Sequence, residues 1–258
     1  MMHTRRRLIA GNWKMHMVRA EADGLVRAIL DGLGGPPPAR ALAGTEVAVF
    51  PPFTALAAVA PLLAGRVSLG AQNVHWAQTG AFTGEVSPGM LLDLCCKYAL
   101  TGHSERRHVF GESDAMVARR FAGAAGAGLV PVLCVGETLG QREAGQTQAV
   151  VAEQLTHALD ALDALEAQAE FVVAYEPVWA IGTGKAAGPE DAEAVCAFIR
   201  AVLAGHSSGQ AAATRILYGG SVKPDNAGAF FRQPNIDGAL VGGASLGAGD
   251  FLAIVRAQ

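Results

Sequence analysis

The chain is poor in cysteine, in excess charge of either sign and in long apolar runs, and each shortage excludes something. Of its four cysteines, Cys95 and Cys96 are adjacent while Cys134 and Cys196 stand alone, which leaves neither a disulfide framework nor a CxxC metal pair. That usage fits a reducing, cytoplasmic setting. A net charge of −3 gives no broad basic field and argues against nucleic acid as a partner. Arg5, Arg6 and Arg7 form a basic triplet, but the LIAG behind them is far too short for a signal-peptide core or a membrane span. The triplet reads as the solvated flank of a first strand. A nucleotide fingerprint is missing too. GNWKMH (11–16) has one glycine where a dinucleotide turn needs three, and the GTGK at 182–185 is followed by Ala186 rather than Ser or Thr.

What is present is apolar bulk in regular order. With 258 residues, 51% of them apolar, the chain can fill one large core. Strand-length apolar runs recur at Leu8–Ala10, Glu46–Phe50, Val67–Ala71, Tyr98–Thr101, Leu129–Val135, Phe171–Tyr175, Arg215–Tyr218 and Gly238–Val241. They begin at intervals that average roughly 30 residues or more, the length of a strand–helix unit. Helix-like stretches lie between them at Ala20–Leu33, Asp114–Gly126, Gln148–Glu166, Pro189–Leu203 and Pro224–Phe231. Pro189 and Pro224, each followed closely by acidic residues, suit first-turn positions. Alternation of this kind predicts a parallel sheet with right-handed crossovers, and the absent nucleotide turn favours its closure. The expected fold is α/β, a (β/α)8 TIM barrel, with residues 1–258 forming a single domain.

Four segments put reactive residues just after an apolar strand: LIAGNWK (8–14), YALTGHSERR (98–107), VVAYEPVWAIGTG (172–184) and ILYGGSVK (216–223). One barrel end would gather all four. Glu176 closes FVVAY and is held by Pro177, so burial at the rim is expected to raise its pKa and suit it to act as a general base. His103 precedes SERR, a short helix start whose free N–H groups oppose protonation; a neutral imidazole there can polarise a carbonyl. Lys14 and Asn12 place a cation and an amide donor at the same rim. Gly219, Gly220 and Ser221 after one strand, and Gly242 and Gly243 after the next, read as an anion cradle. The run from Trp179 to Gly184 is apolar and then glycine-flanked, as in a lid that expels water and offers backbone N–H groups. Residues 72–88, carrying Trp76 and Phe82, form a loop too long for a plain connector.

On these motifs, and on GAQN (70–73), GAFTGE (80–85), FGE (110–112), CVGETL (134–139) and DGALVGGASL (237–246), the sequence resembles the triosephosphate isomerase family over nearly its whole length. The resemblance implies interconversion of dihydroxyacetone phosphate and glyceraldehyde 3-phosphate, with no cofactor and no metal. It makes Glu176 the base, His103 the neutral electrophile, and Lys14 with Asn12 the groups that position substrate. Glu105 becomes an electrostatic neighbour of Lys14. Backbone N–H groups of Gly182, Ser221, Gly242 and Gly243 become the phosphate grip. These roles come with the family, a long-standing example of pKa tuning and lid closure, and are not read from the residues alone. A homodimer through loop 72–88, with Thr83 as the probing residue, is implied as well. Departures from the family pattern are Thr101, a hydroxyl in a strand expected to be buried, Gly188 in place of a Ser or Thr helix cap, and His16–Arg19 after the first motif. Two other readings stay open on the residues: a different sugar-phosphate barrel enzyme, and a catalytically silent interaction protein on the same scaffold.

Overall fold

A computed structural model of the chain describes residues 5–34, 44–63, 65–165, 169–181 and 187–258. The strands are β1 (Arg7–Asn12), β2 (Thr45–Phe50), β3 (Ser68–Ala71), β4 (Cys96–Thr101), β5 (Val130–Val135), β6 (Val172–Tyr175), β7 (Arg215–Tyr218) and β8 (Gly238–Val241). Each pairs in parallel with the next, and β8 pairs with β1, so the barrel closes as the alternation predicts.

Two layers of core follow from the strand period of two. Leu8, Phe50, Tyr98, Val132, Val172 and Leu217 fill the barrel interior. Their outward neighbours, such as Ile9, Val49, Val173 and Ile216, pack beneath the helices. Gly70 on β3 sits where a Cβ would come within 2.2 Å of the Phe50 ring, so only glycine lets that ring into the interior.

The helices are α1 (Arg19–Gly32), α2 (Phe53–Leu63), α3 (Pro88–Asp93), α4 (Ser104–His108), α5 (Asp114–Gly126), α6 (Leu139–Glu143), α7 (Thr147–Asp163), α8 (Pro189–His206), α9 (Ser208–Ala213), α10 (Ala227–Phe231) and α11 (Ala248–Arg256). Three helix ends differ from expectation by three residues, one of them that of α8, which runs on to His206 beyond Leu203. Helix α7 stops at Asp163, where Ala164 and Leu165 close the turn onto Asp160 and Leu162; the expected end, Glu166, lies outside the described residues. Helix α10 starts at Ala227 rather than Pro224, because Pro224 and Asp225 belong to the turn that leaves β7. Pro189 does open α8, behind an N-cap Gly188 that makes no side-chain cap. Thr101 is fully buried, and its hydroxyl donates to Val132 O at 3.4 Å.

The N-terminal end of the barrel is closed by charge. Glu46 accepts from Ser68 Oγ (2.9 Å), Lys97 Nζ (2.7 Å), Tyr98 Oη (2.8 Å) and Arg215 Nη1 (2.8 Å). Loop 72–88 is anchored at its base and open at its tip. Arg120 donates to Val74 O at 2.6 Å and to Glu85 at 2.8 Å, and His75 stacks on Trp76 and Phe82. Residues 78–84, Thr83 among them, are exposed.

Candidate active site

Strand parity decides what reaches the C-terminal mouth. Leu8 and Ala10 of β1 point inward, so Asn12 does; Val172 and Ala174 of β6 bring Glu176 inward; Leu217 and Leu240 do the same for Gly219 and Gly242. These four, with Lys14, His103, Ser221 and Gly243, line one cavity of about 690 Å³. The structure therefore gathers the expected residues from β1, β4, β6, β7 and β8. Gly182, and with it the part of the expected lid that follows Ile181, lies outside the described residues.

Glu176 is 2% exposed. One carboxylate oxygen lies 2.9 Å from His103 Nε2, and the other accepts the Ser104 backbone N–H at 2.8 Å. His103 is the N-cap of α4, and its Nδ1 accepts the Glu105 N–H at 3.3 Å, which leaves Nε2 as the ring's donor. Burial alone would push the Glu176 carboxyl up. The facing His103, the Ser104 N–H and Lys14 outweigh burial and hold it below the usual carboxylate range. Burial likewise opposes charge on His103, and the Glu176 carboxylate outweighs it, so that pKa is raised. Both directions reverse what the sequence led us to expect, because neither segment discloses that the two groups face each other. The Glu105 N–H on Nδ1 works the other way and favours the ring with its single proton on Nε2.

Lys14 has a left-handed backbone, φ 51°, costly for a side chain other than glycine's. Two amides hold it there. Asn12 Oδ1 accepts the Lys14 N–H at 3.0 Å, and Gln72 Nε2 donates to Lys14 O and Phe50 O, both at 2.8 Å. The ammonium pairs with Glu105 at 2.5 Å, as the resemblance implies.

Across the mouth, Gly242 leads into a short 3-10 turn, Gly243–Leu246, and a Cβ on Gly242 would stand 3.5 Å from Lys14 Cε. Asn226 braces the other turn: its Oδ1 accepts the Lys223 N–H at 2.8 Å and its Nδ2 donates to Ser221 O at 3.1 Å. Sequence reasoning passed over Gln72, Ser104 and Asn226. Each acts through or upon a backbone amide or carbonyl, for which a sequence carries no specific signal.

After Glu176 and Pro177, Val178–Ala180 form a 3-10 turn. Trp179 Nε1 donates to the fully buried Glu137 at 2.8 Å, and Arg142 stacks over its ring at 4.4 Å. Among the described residues, the side chains that could gather round a metal are Asp114, Glu153 and His157, half-buried or exposed and away from the mouth. Asp114 is already paired with Arg107. No helix of the described residues is long and apolar enough to cross a membrane.

A closed parallel barrel whose C-terminal mouth opposes a buried carboxylate and imidazole, with a lysine and glycine turns around them, defines a (β/α)8 barrel enzyme of the anion-binding kind. The comparison with known proteins narrows that class. The chain belongs to the triosephosphate isomerase family, whose sequence profile matches residues 7–258. It is 54% identical over 253 residues to the triosephosphate isomerase of Chloroflexus aurantiacus, covering 97% of this chain and 98% of that one. It is 54% identical over 254 residues to that of Thiobacillus denitrificans, covering 98% of each chain. With that of Rhodopirellula baltica it shares 51% over 256 residues, again covering 98% of each.

Proposed function

We propose that this chain is an isomerase of glycolysis and gluconeogenesis that interconverts dihydroxyacetone phosphate and D-glyceraldehyde 3-phosphate, using its own side chains and no cofactor. The observation that carries this reading is the buried pair of Glu176 and His103, set opposite Lys14 at the mouth of the barrel. Substrate and product are isomers, so the reaction needs only that a proton leave one carbon and return to the next, with the oxygens exchanging theirs. Glu176 takes the carbon proton, His103 Nε2–H donates to the carbonyl oxygen, and Lys14 with the amide of Asn12 stabilises the enediolate oxygens. Backbone N–H groups of Gly182, Ser221, Gly242 and Gly243 hold the phosphate, and Glu105 orients Lys14.

The resting contact between Glu176 and His103 has to open for substrate to sit between them. Opening removes the largest cause that holds the carboxyl down, its contact with His103, and so lets burial weigh more, which raises its basicity when a base is required. The same step takes the carboxylate away from His103, so the amide on Nδ1 then favours the neutral ring. A lid spanning Ile181–Lys185 closes over the phosphate and keeps the enediolate dry.

We further propose one domain over residues 1–258, a cytoplasmic location and a homodimer built on loop 72–88. The reaction is tested by a coupled assay of glyceraldehyde 3-phosphate with EDTA present, run on the native chain and on Glu176→Ala. Turnover in EDTA that falls by about 10²–10⁴-fold in the variant is expected. A folded native protein with no turnover would return the chain to another sugar phosphate or to a silent scaffold.

A further inference from the structure

Helix α7 turns an apolar face toward the barrel, with Val151, Leu155 and Ala158 buried, and in that face sits a buried amide, Gln154. Both ends of this amide engage one residue. Oε1 accepts the N–H of Gly136 at 2.8 Å, and Nε2 donates to the carbonyl of Gly136 at 3.3 Å. Gly136 is the first residue beyond β5, just past the last ladder pair, Val135 with Tyr175. Its buried backbone groups would have no partner of their own where the sheet ends, and an unpaired buried amide is costly. Gln154 completes the ladder from outside the barrel.

The residue held in this way abuts Glu176. A Cβ on Gly136 would stand 1.9 Å from the Glu176 carbonyl oxygen and 3.3 Å from its nitrogen, so the two backbones meet with no room between them. The Glu176 N–H donates to Val135 O at 2.7 Å, immediately before Gly136. The peptide that carries the carboxylate therefore rests on Val135 and Gly136, and Gln154 fixes the plane of Gly136. We infer that Gln154 is a positioning residue for Glu176, acting through Gly136 and touching neither substrate nor carboxylate. The inference rests on Glu176 being the base. A reacting group must be held to within a fraction of an ångström, and a loss of that order far from the chemistry can cost about 10²-fold.

The test compares Gln154→Met, which keeps the volume and removes both bonds, with Gln154→Glu, which keeps an acceptor for the Gly136 N–H and loses the donor. Val151→Ala, a truncation on the same buried face, controls for stability alone. The readouts are kcat, KM, the dissociation constant for inorganic phosphate and the melting temperature. For Gln154→Met, kcat is expected to fall about 10- to 100-fold, with KM and the phosphate constant within about twofold, because three of the four proposed phosphate N–H groups, those of Ser221, Gly242 and Gly243, follow β7 and β8. Gln154→Glu is expected to lose less, and Val151→Ala to lower the melting temperature with kcat within about twofold. An unchanged kcat in folded Gln154→Met overturns the inference. So does a joint loss of kcat and phosphate affinity, which marks general loosening, and so does failure of both Gln154 variants to fold. Failure of the proposed function itself reads out separately, as undiminished turnover in Glu176→Ala.

Discussion

Glu176 and His103 approach from different strands, 73 positions apart in the chain, and meet with Oε1 2.9 Å from Nε2 at almost no exposure to solvent. Each sets the other's proton affinity. Burial would raise the carboxyl, and His103 is the chief cause that it is lowered instead. Replacing His103 by Gln removes the largest of the causes that oppose burial, so the Glu176 pKa should rise. The acid limb of the kcat/KM profile of His103→Gln is then expected to move to higher pH, on top of a fall in kcat of about 10²-fold. A variant with lower kcat and an unmoved acid limb would mean that the resting contact does not control the base.

The lid proposed over residues 181–185 would serve product purity as well as rate. An enediolate next to a phosphate can expel it, and a closed dry site suppresses that loss. Deleting Gly182–Gly184 should raise methylglyoxal formed per isomerisation turnover, measured by derivatisation of the product mixture. Equal product purity in the deletion and the native chain would remove the lid from the mechanism.

The barrel was legible because its strands are short, apolar and regularly spaced, and because parity along FVVAYE and LIAGN commits Glu176 and Asn12 to the inside. Local patterns suffice for that. The electrostatics were not legible, since the Glu176 and His103 directions depend on a contact between β4 and β6 that neither segment encodes alone. Supporting amides escaped for a related reason: Gln72, Asn226 and Gln154 act on backbone atoms, and nothing in the identity of Lys14, Ser221 or Gly136 reports what holds them. Helix α10 starts three residues later than the pattern predicts because Pro224 and Asp225 imitate a helix opening. Asn226, a favoured capping residue, turns its side chain back onto the preceding turn instead.

The tip of loop 72–88 presents Phe82, 43% exposed, beside Thr83, above a base that Arg120 and Glu85 hold firmly. A firm base with an apolar exposed tip suits insertion into a second copy of the chain. Light scattering of the native protein should give twice the chain mass. Phe82→Asp, which puts a charge at the tip, should shift the mass toward one chain and lower activity with dilution. A native chain that is monomeric and fully active at assay concentration would rule out this interface.

Glu46 supplies a stability switch at the opposite end of the barrel. Burial pushes its carboxyl up, but Lys97, Tyr98, Arg215 and Ser68 outweigh burial and bring it down to about 2 from an ordinary 4.5. A carboxyl depressed on folding stabilises the native state fully above its unfolded pKa and loses that contribution as pH falls through the folded value. The window here runs from about 4.5 down to about 2, a depression worth about 3–4 kcal/mol at full strength and about 2–3 kcal/mol once solvent screens the part-exposed Lys97 pair. Glu46→Gln keeps the shape and removes the charge, leaving Arg215 with Glu170 at 2.9 Å and Lys97 half in solvent. Urea unfolding should find the variant less stable by about 2–3 kcal/mol at pH 7. The gap should narrow as pH falls below the ordinary carboxylate range and close near the folded value. Because both proteins share every other carboxylate, the difference between them isolates this one. A gap that stayed constant across the acid range would show that Glu46 acts by packing rather than by charge.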